Sequence, residues 1–125
     1  MAEIQTIGIV GAGTMGSGIA HVFARAGFQV LLCDVDQRFL DRAVGQIRAN
    51  LGREAAKGKL AETDVEPVLA RIRTTVDRDM LSAAEFVVEA ASERFEVRNR
   101  IYQRVVDLLQ KPAVAEENPV ANSAS

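Results

Sequence analysis

Tryptophan is absent, aromatic side chains make up 5% of the sequence, and cysteine and histidine occur once each, as Cys33 and His21. A single cysteine excludes an internal disulfide, and its setting in an apolar stretch makes it a small buried hydrophobe rather than a reactive thiol. So few soft or imidazole ligands leave no metal site to read. No apolar run approaches the ~20 residues that cross a bilayer, so no membrane partner is expected. The N-terminus enters its first apolar strand within a few residues and reads as neither signal nor transit peptide, which gives the expectation of a cytoplasmic protein. There is also no excess of one charge. Fifteen basic and 17 acidic side chains leave a net charge of -2. No global field therefore draws the chain to nucleic acid, and any anion site must be local. The 125 residues, 48% of them hydrophobic, suffice for one domain with one ordinary core.

What is present is concentrated between Ile7 and Ala26, IGIVGAGTMGSGIAHVFARA. Ile7, Ile9 and Val10 form a short apolar run. Gly11, Gly13 and Gly16 follow at the spacing G-x-G-x-x-G, and Met15, Ile19, Val22, Phe23 and Ala26 then recur at helical spacing. The pattern is strand, phosphate loop, helix. Gly11 lets the chain turn off the strand, Gly13 offers no Cβ to hold off a pyrophosphate, and Gly16 lets the helix lie close to the sheet. The free N–H groups of the first helical turn face the anion. Gly11, Ala12, Gly13, Thr14, Met15 and Gly16 are thus candidate cofactor contacts. Glycines at this spacing also occur in ordinary turns; here a second strand, Gln29 to Cys33, ends in an acidic residue, Asp34, roughly twenty positions on, as dinucleotide binding requires. Asp34 is then the acceptor for the adenosine ribose hydroxyls, with helix N-capping as its competing role; Asp36 is better placed to cap.

Beyond Asp34, Leu40, Val44, Ile47 and Leu51 share a helical stripe, and Gly58 breaks this second helix. Thr63 and Glu66 fit a capping box that opens a third helix, with Val65, Val68, Leu69 and Ile72 on its buried side. Residues 36–72 read as a helical hairpin, longer than a plain crossover needs. Ile72 to Val76 is the third strand, Asp77 to Ser82 a polar turn with a short helix, and Phe86 to Ala90 a fully buried fourth strand. Val97, Ile101, Val105 and Leu108 stripe the next helix, which must stop at or before Lys111 because Pro112 follows. Ala113 to Ala115 is a short fifth strand. Strands alternating with helices predict a doubly wound, parallel Rossmann sheet. His21, one turn or so into the first helix, reads as structural rather than as a base.

GAGTMGSGIA, the acidic end of the second strand, the long hairpin and VVEAASE together resemble the cofactor domain of the NAD-dependent 3-hydroxyacyl-CoA dehydrogenases, from about Ile7 to Leu109. The resemblance implies NAD as cofactor and an acyl-CoA substrate. It also implies that Glu93 and Arg98 lie along the cofactor, with arginine here in place of the usual lysine, which keeps the charge but not its point-like geometry. A solvated helix start is the alternative for both. Asn50 and Lys57 match positions that touch coenzyme A, and Arg53 shares a helix face with Lys57, although a basic run on a surface helix is commonly just solvated.

The tail departs from the family pattern. The family's fifth strand ends in an Asn-Thr-Ser-Ser motif; an ungapped count puts Asn118 at the asparagine, and a short insertion puts Asn122 there. The family's catalytic histidine with its glutamate partner, and the helical substrate and dimerisation domain, find no counterpart, so no catalytic residue is assigned. The expectation is an NAD-binding domain over residues 1–125, incomplete at its C-terminus, from an enzyme that is a homodimer at full length, and inactive by itself. A dehydrogenase of a free hydroxy acid and a non-catalytic NAD-binding module are the competing readings.

Overall fold

The computed structural model describes residues 5–91 and 95–110, side chains of 95–98 excepted. Its elements alternate: β1 Thr6–Val10, α1 Thr14–Arg25, β2 Gln29–Cys33, α2 Gln37–Ala56, α3 Val65–Ala70, β3 Ile72–Thr75, β4 Phe86–Glu89 and α4 Phe95–Leu109. The strands form one parallel sheet of order β3-β2-β1-β4, with Ile9 beside Leu32 on one flank and Val88 on the other. β1 is central, and the strand order reverses beside it. This is a Rossmann-like α/β sheet, and the crevice beside such a reversal is where ligands of open α/β sheets bind.

Alternation along β1 sorts its side chains onto two faces. Ile7 and Ile9 join Val30, Leu32 and Val88 beneath Ile19, Phe23, Leu40, Ile47 and Leu51, and most of these are fully buried. Val10, Leu31 and Cys33 point the other way and meet Leu81, from the 3-10 segment Arg78–Ala83 that connects β3 to β4. A Cβ on Gly8 would lie 2.9 Å from Leu81 Cδ2, so the absence of a side chain lets that connection sit against the sheet.

The hairpin is clamped onto α1. Arg25 donates to the carbonyl of Lys59 at 2.6 Å and Arg71 to that of Ala24 at 2.7 Å. His21 Nε2 lies 3.4 Å from Glu54 Oε2, and Arg25 Nε 3.3 Å from Glu54 Oε1. Arg48 pairs with Glu66 between α2 and α3.

Four expectations need correction. Thr63 lies inside a 3-10 turn, Glu62–Asp64, and cannot cap α3; the residue before α3 is Asp64, in helical rather than extended conformation and without a side-chain cap, while Glu66 is drawn away to Arg48. Val22 is 41% exposed and Ala26 is exposed, because α1 is rotated so that Ala20 and Ala24 face the sheet and let the helix approach closely. β4 is not fully buried: among the described residues it pairs only with β1, and Val87 is 44% exposed. β3 and β4 each end one residue early, at Thr75 and Glu89. Gly58 does end the α2 region, and α4 stops at Leu109. The predicted fifth strand and the asparagine-containing tail lie outside the described residues.

Glu85 fastens the start of β1, its Oε1 accepting from Thr6 N at 2.7 Å and Gln5 N at 3.1 Å. These two backbone donors hold its carboxyl below the usual glutamate range. A depressed folded value adds stability above the unfolded pKa that is lost as pH falls through the folded one. Glu85→Gln is therefore expected to cost about 0.5–1 kcal/mol at pH 7, small because the group is exposed. Urea melts should show that gap closing below the ordinary glutamate range; a gap independent of pH would mean that the charge is not involved.

Candidate functional site

The carboxyl ends of β1, β2 and β4 open into a cavity of about 590 Å³, its wall completed by Val76 just past β3. The backbone at its floor is fixed by the sheet itself: Gly11 N donates to Cys33 O at 2.8 Å and Ala90 N to Val10 O at 2.8 Å. Gly11 sits at φ +106°, a conformation open to glycine, with the Ala91 backbone 3.0 Å from where a Cβ would be. Gly16 is still more constrained, since its Cβ would fall 1.7 Å from Gly11 O. What Gly16 accommodates is thus the carbonyl of the loop, with Ala90 Cβ next at 3.6 Å, rather than the sheet surface expected for it. Ser17, buried and not singled out from the sequence, ties the loop to the helix by donating its hydroxyl to Gly13 O at 2.7 Å.

Gly13 differs from both: among the described residues nothing lies within 4 Å of its would-be Cβ, so none of them demands a glycine there. The first helical hydrogen bond of α1 runs from Ser17 N to Gly13 O at 2.9 Å, and among the described residues no side chain caps the helix. The N–H groups of Thr14, Met15 and Gly16 precede that bond and converge where the helix dipole is positive. An anion able to lie on bare backbone fits this cradle, which is the part a dinucleotide's diphosphate would occupy.

Asp34 connects the loop to β2. Its Oδ2 accepts from Ala12 N at 2.7 Å and its Oδ1 from Val35 N at 2.6 Å. Each oxygen retains a lone pair for a further donor, such as a ribose hydroxyl. The competing capping role falls to Asp36, whose Oδ1 accepts from Arg38 N at 2.8 Å as α2 begins. The Arg38 side chain holds that carboxyl below its usual range.

Of the residues singled out in the sequence, Gly11, Gly13, Thr14, Met15 and Asp34 line the cavity together, while Ala12 and Gly16 are neighbours of lining residues in the same loop. Glu93 and the side chain of Arg98 lie outside the described residues. Asn50 and Arg53 on α2 and Lys57 just past its end form a separate group, with Arg53 donating to Asn50 Oδ1 and both cations exposed. At 1.5 Å per residue, Asn50 is about 21 Å along α2 from Asp36. His21 does not reach the cavity, for it faces Glu54 between α1 and α2, with Nδ1 buried and without a hydrogen-bond partner among the described residues.

Val35, Val76, Arg78 and Glu89 are among the wall residues to which the sequence reading gave no cofactor role. Glu89 is the last residue of β4, whereas the sequence had run that strand on to Ala90. Cys33, also in the wall, is 1% exposed, and burial pushes its thiol up despite the opposing Arg78 guanidinium. It remains a structural thiol.

Residues 6–121 match the family model described as 3-hydroxyacyl-CoA dehydrogenase, NAD binding domain. The chain is 41% identical over 108 residues to the 3-hydroxyadipyl-CoA dehydrogenase of Escherichia coli, a match covering 86% of this chain and 23% of that protein. A probable 3-hydroxybutyryl-CoA dehydrogenase of Deinococcus radiodurans is 38% identical over 111 residues, covering 89% and 40% respectively. Among solved structures, an (S)-3-hydroxybutyryl-CoA dehydrogenase from Ralstonia eutropha superposes with a TM-score of 0.71 at 37% identity, over 85% of this chain and 38% of that one. The chain therefore spans well under half the length of these relatives. Over the shared length, glycine loop, acidic strand end and inserted hairpin together with the family match establish that the chain belongs to the 3-hydroxyacyl-CoA dehydrogenase family, as its NAD-binding domain.

Proposed function

We propose that this chain holds NAD for the oxidation of a 3-hydroxyacyl-CoA to the 3-oxoacyl-CoA, a reaction of fatty-acid metabolism, in a cytoplasmic enzyme that is a homodimer at full length. The observation that carries the reading is the uncapped start of α1 against bare Gly13, with Asp34 beside it: an anion cradle next to a hydroxyl acceptor. Thr14, Met15 and Gly16 would hold the diphosphate by backbone N–H groups, and Asp34 the adenosine ribose. Glu93 and Arg98 complete this proposed set further along the cofactor. When bound, NAD supplies the hydride acceptor. Isothermal titration of the chain with NAD tests the reading, and absence of binding at millimolar cofactor would overturn it.

Asn50, Arg53 and Lys57 are proposed to take the phosphate-bearing end of coenzyme A, which wants cations and an amide on one exposed helix face. Single losses of exposed cations should be small, about 0.2–1 kcal/mol by analogy with exposed ion pairs. The double change Arg53→Ala, Lys57→Ala is expected to weaken acetoacetyl-CoA binding several-fold at low salt. Unchanged binding in that variant would remove the hairpin from the site.

The 125-residue chain by itself is expected to turn nothing over. Its one histidine is held between helices by Glu54, and general-base help is typically worth ~10²–10⁴ in rate. NADH formation from 3-hydroxybutyryl-CoA at enzyme-like rates, surviving His21→Ala, would show that another base is present.

A further inference from the structure

We propose that Arg78 is the residue that stacks on the adenine of the cofactor, closing the outer end of the cavity with its planar guanidinium. The inference rests on the NAD reading above and deepens it.

The placement follows from the sheet. The diphosphate cradle is at β1 and α1, Asp34 is at the end of β2, and Val76 and Arg78 follow the end of β3. Neighbouring strands are about 4.8 Å apart, so Arg78 stands roughly 10 Å across from the cradle, beyond the ribose acceptor, where the base of the adenosine must go. The wall there is otherwise apolar: Val35 is 82% exposed and Val76 52%. Two bare valines at one end of a cavity suit a flat, weakly polar ligand group.

Arg78 is also available. Arg25, Arg38 and Arg48 each pair with a carboxylate, Arg53 donates to Asn50, and Arg71 donates to a carbonyl. Among the described residues Arg78 makes no ion pair, yet its backbone is held firmly. Asp77 N donates to Thr75 Oγ1 at 2.9 Å, Asp79 N to Asp77 Oδ1 at 3.0 Å, and Met80 N to Asp77 O at 3.1 Å. With the backbone already fixed, binding has only the Arg78 side chain left to order. Guanidinium over an aromatic face is a favourable geometry that lysine reproduces poorly.

NAD titration of the parent, Arg78→Ala and Arg78→Lys separates the possibilities. Removing the side chain is expected to weaken NAD about tenfold, a change near 1.4 kcal/mol, with unaltered thermal stability. Arg78→Lys should recover little of it, and the adenine absorbance change near 260 nm on binding should shrink in both variants. If lysine restores full affinity and Arg78→Ala flattens the salt dependence, Arg78 pairs with a phosphate and the stacking proposal fails. It also fails if Arg78→Ala binds as the parent does. Should the parent itself not bind NAD, the cofactor reading has failed, and that result is distinct from the other two.

Discussion

Gly16→Ala is expected to destroy the folded loop, whereas Gly13→Ala, three residues earlier in the same motif, is expected to fold like the parent and lose the cofactor. The added methyl at Gly16 would lie 1.7 Å from Gly11 O and 2.8 Å from Gly11 C, both backbone atoms that no rotamer change can move. Overpacking commonly costs 1–3 kcal/mol, and a clash with backbone at this distance should cost about 3 or more. At Gly13, which lines the cavity, the methyl meets no atom of the described residues within 4 Å. A diphosphate held off the backbone should bind on the order of a hundredfold more weakly, about 2.8 kcal/mol. Thermal melts and NAD titrations of the two variants measure these effects separately. If Gly13→Ala binds NAD normally, the diphosphate lies elsewhere; if Gly16→Ala melts with the parent, the loop has more slack than its geometry shows.

Asp34→Asn is expected to weaken NAD by about tenfold and to erase most of the preference for NAD over NADP. The parent carboxylate would meet a 2′-phosphate as like charge against like, worth up to ~4 kcal/mol at 4 Å and an effective dielectric near 20, less here because Asp34 is only half-buried. Asparagine removes that repulsion while keeping an acceptor for the Ala12 or Val35 amide, so a change in preference cannot be put down to a collapsed loop. Titrating parent and variant with both cofactors decides it. NADP bound as tightly as NAD by the parent would sink the ribose assignment.

The chain's architecture was legible where local chemistry dominates. Gly11 and Gly16 sit where the backbone requires a glycine's freedom or closeness, β2 has the predicted limits, and Asp36 caps α2 because only its side chain precedes the helix at the right offset. What the sequence did not reveal depends on rotation and distance. Val22 and Ala26 share a stripe with Phe23 on a helical wheel, but which flank of the stripe meets the sheet is set by the small Ala20 and Ala24. Thr63 carries the right capping pattern, yet the 3-10 turn that leads into α3 consumes it, and Glu66 finds a cation on another helix. Val76 and Arg78 belong to a connection with no motif, and the parallel pairing of β3 with β2 is what carries them to the cavity. Val87 belongs to an apolar run that looked like a core strand, but burial there depends on the strand's neighbours.

The bonds from Arg25 to Lys59 and from Arg71 to Ala24, with Glu54 between His21 and Arg25, join α1 to the turn of the hairpin and to its C-terminal end. α1 presents the anion cradle and α2 the basic face, so a breathing motion that frees one must release the other. Local opening follows cooperative units rather than single helices. In a hydrogen-exchange experiment the amides of Ile19 to Ala24 and of Leu40 to Leu51 should therefore gain deuterium with one shared time constant, and cofactor added at one end should slow exchange along the whole of α2.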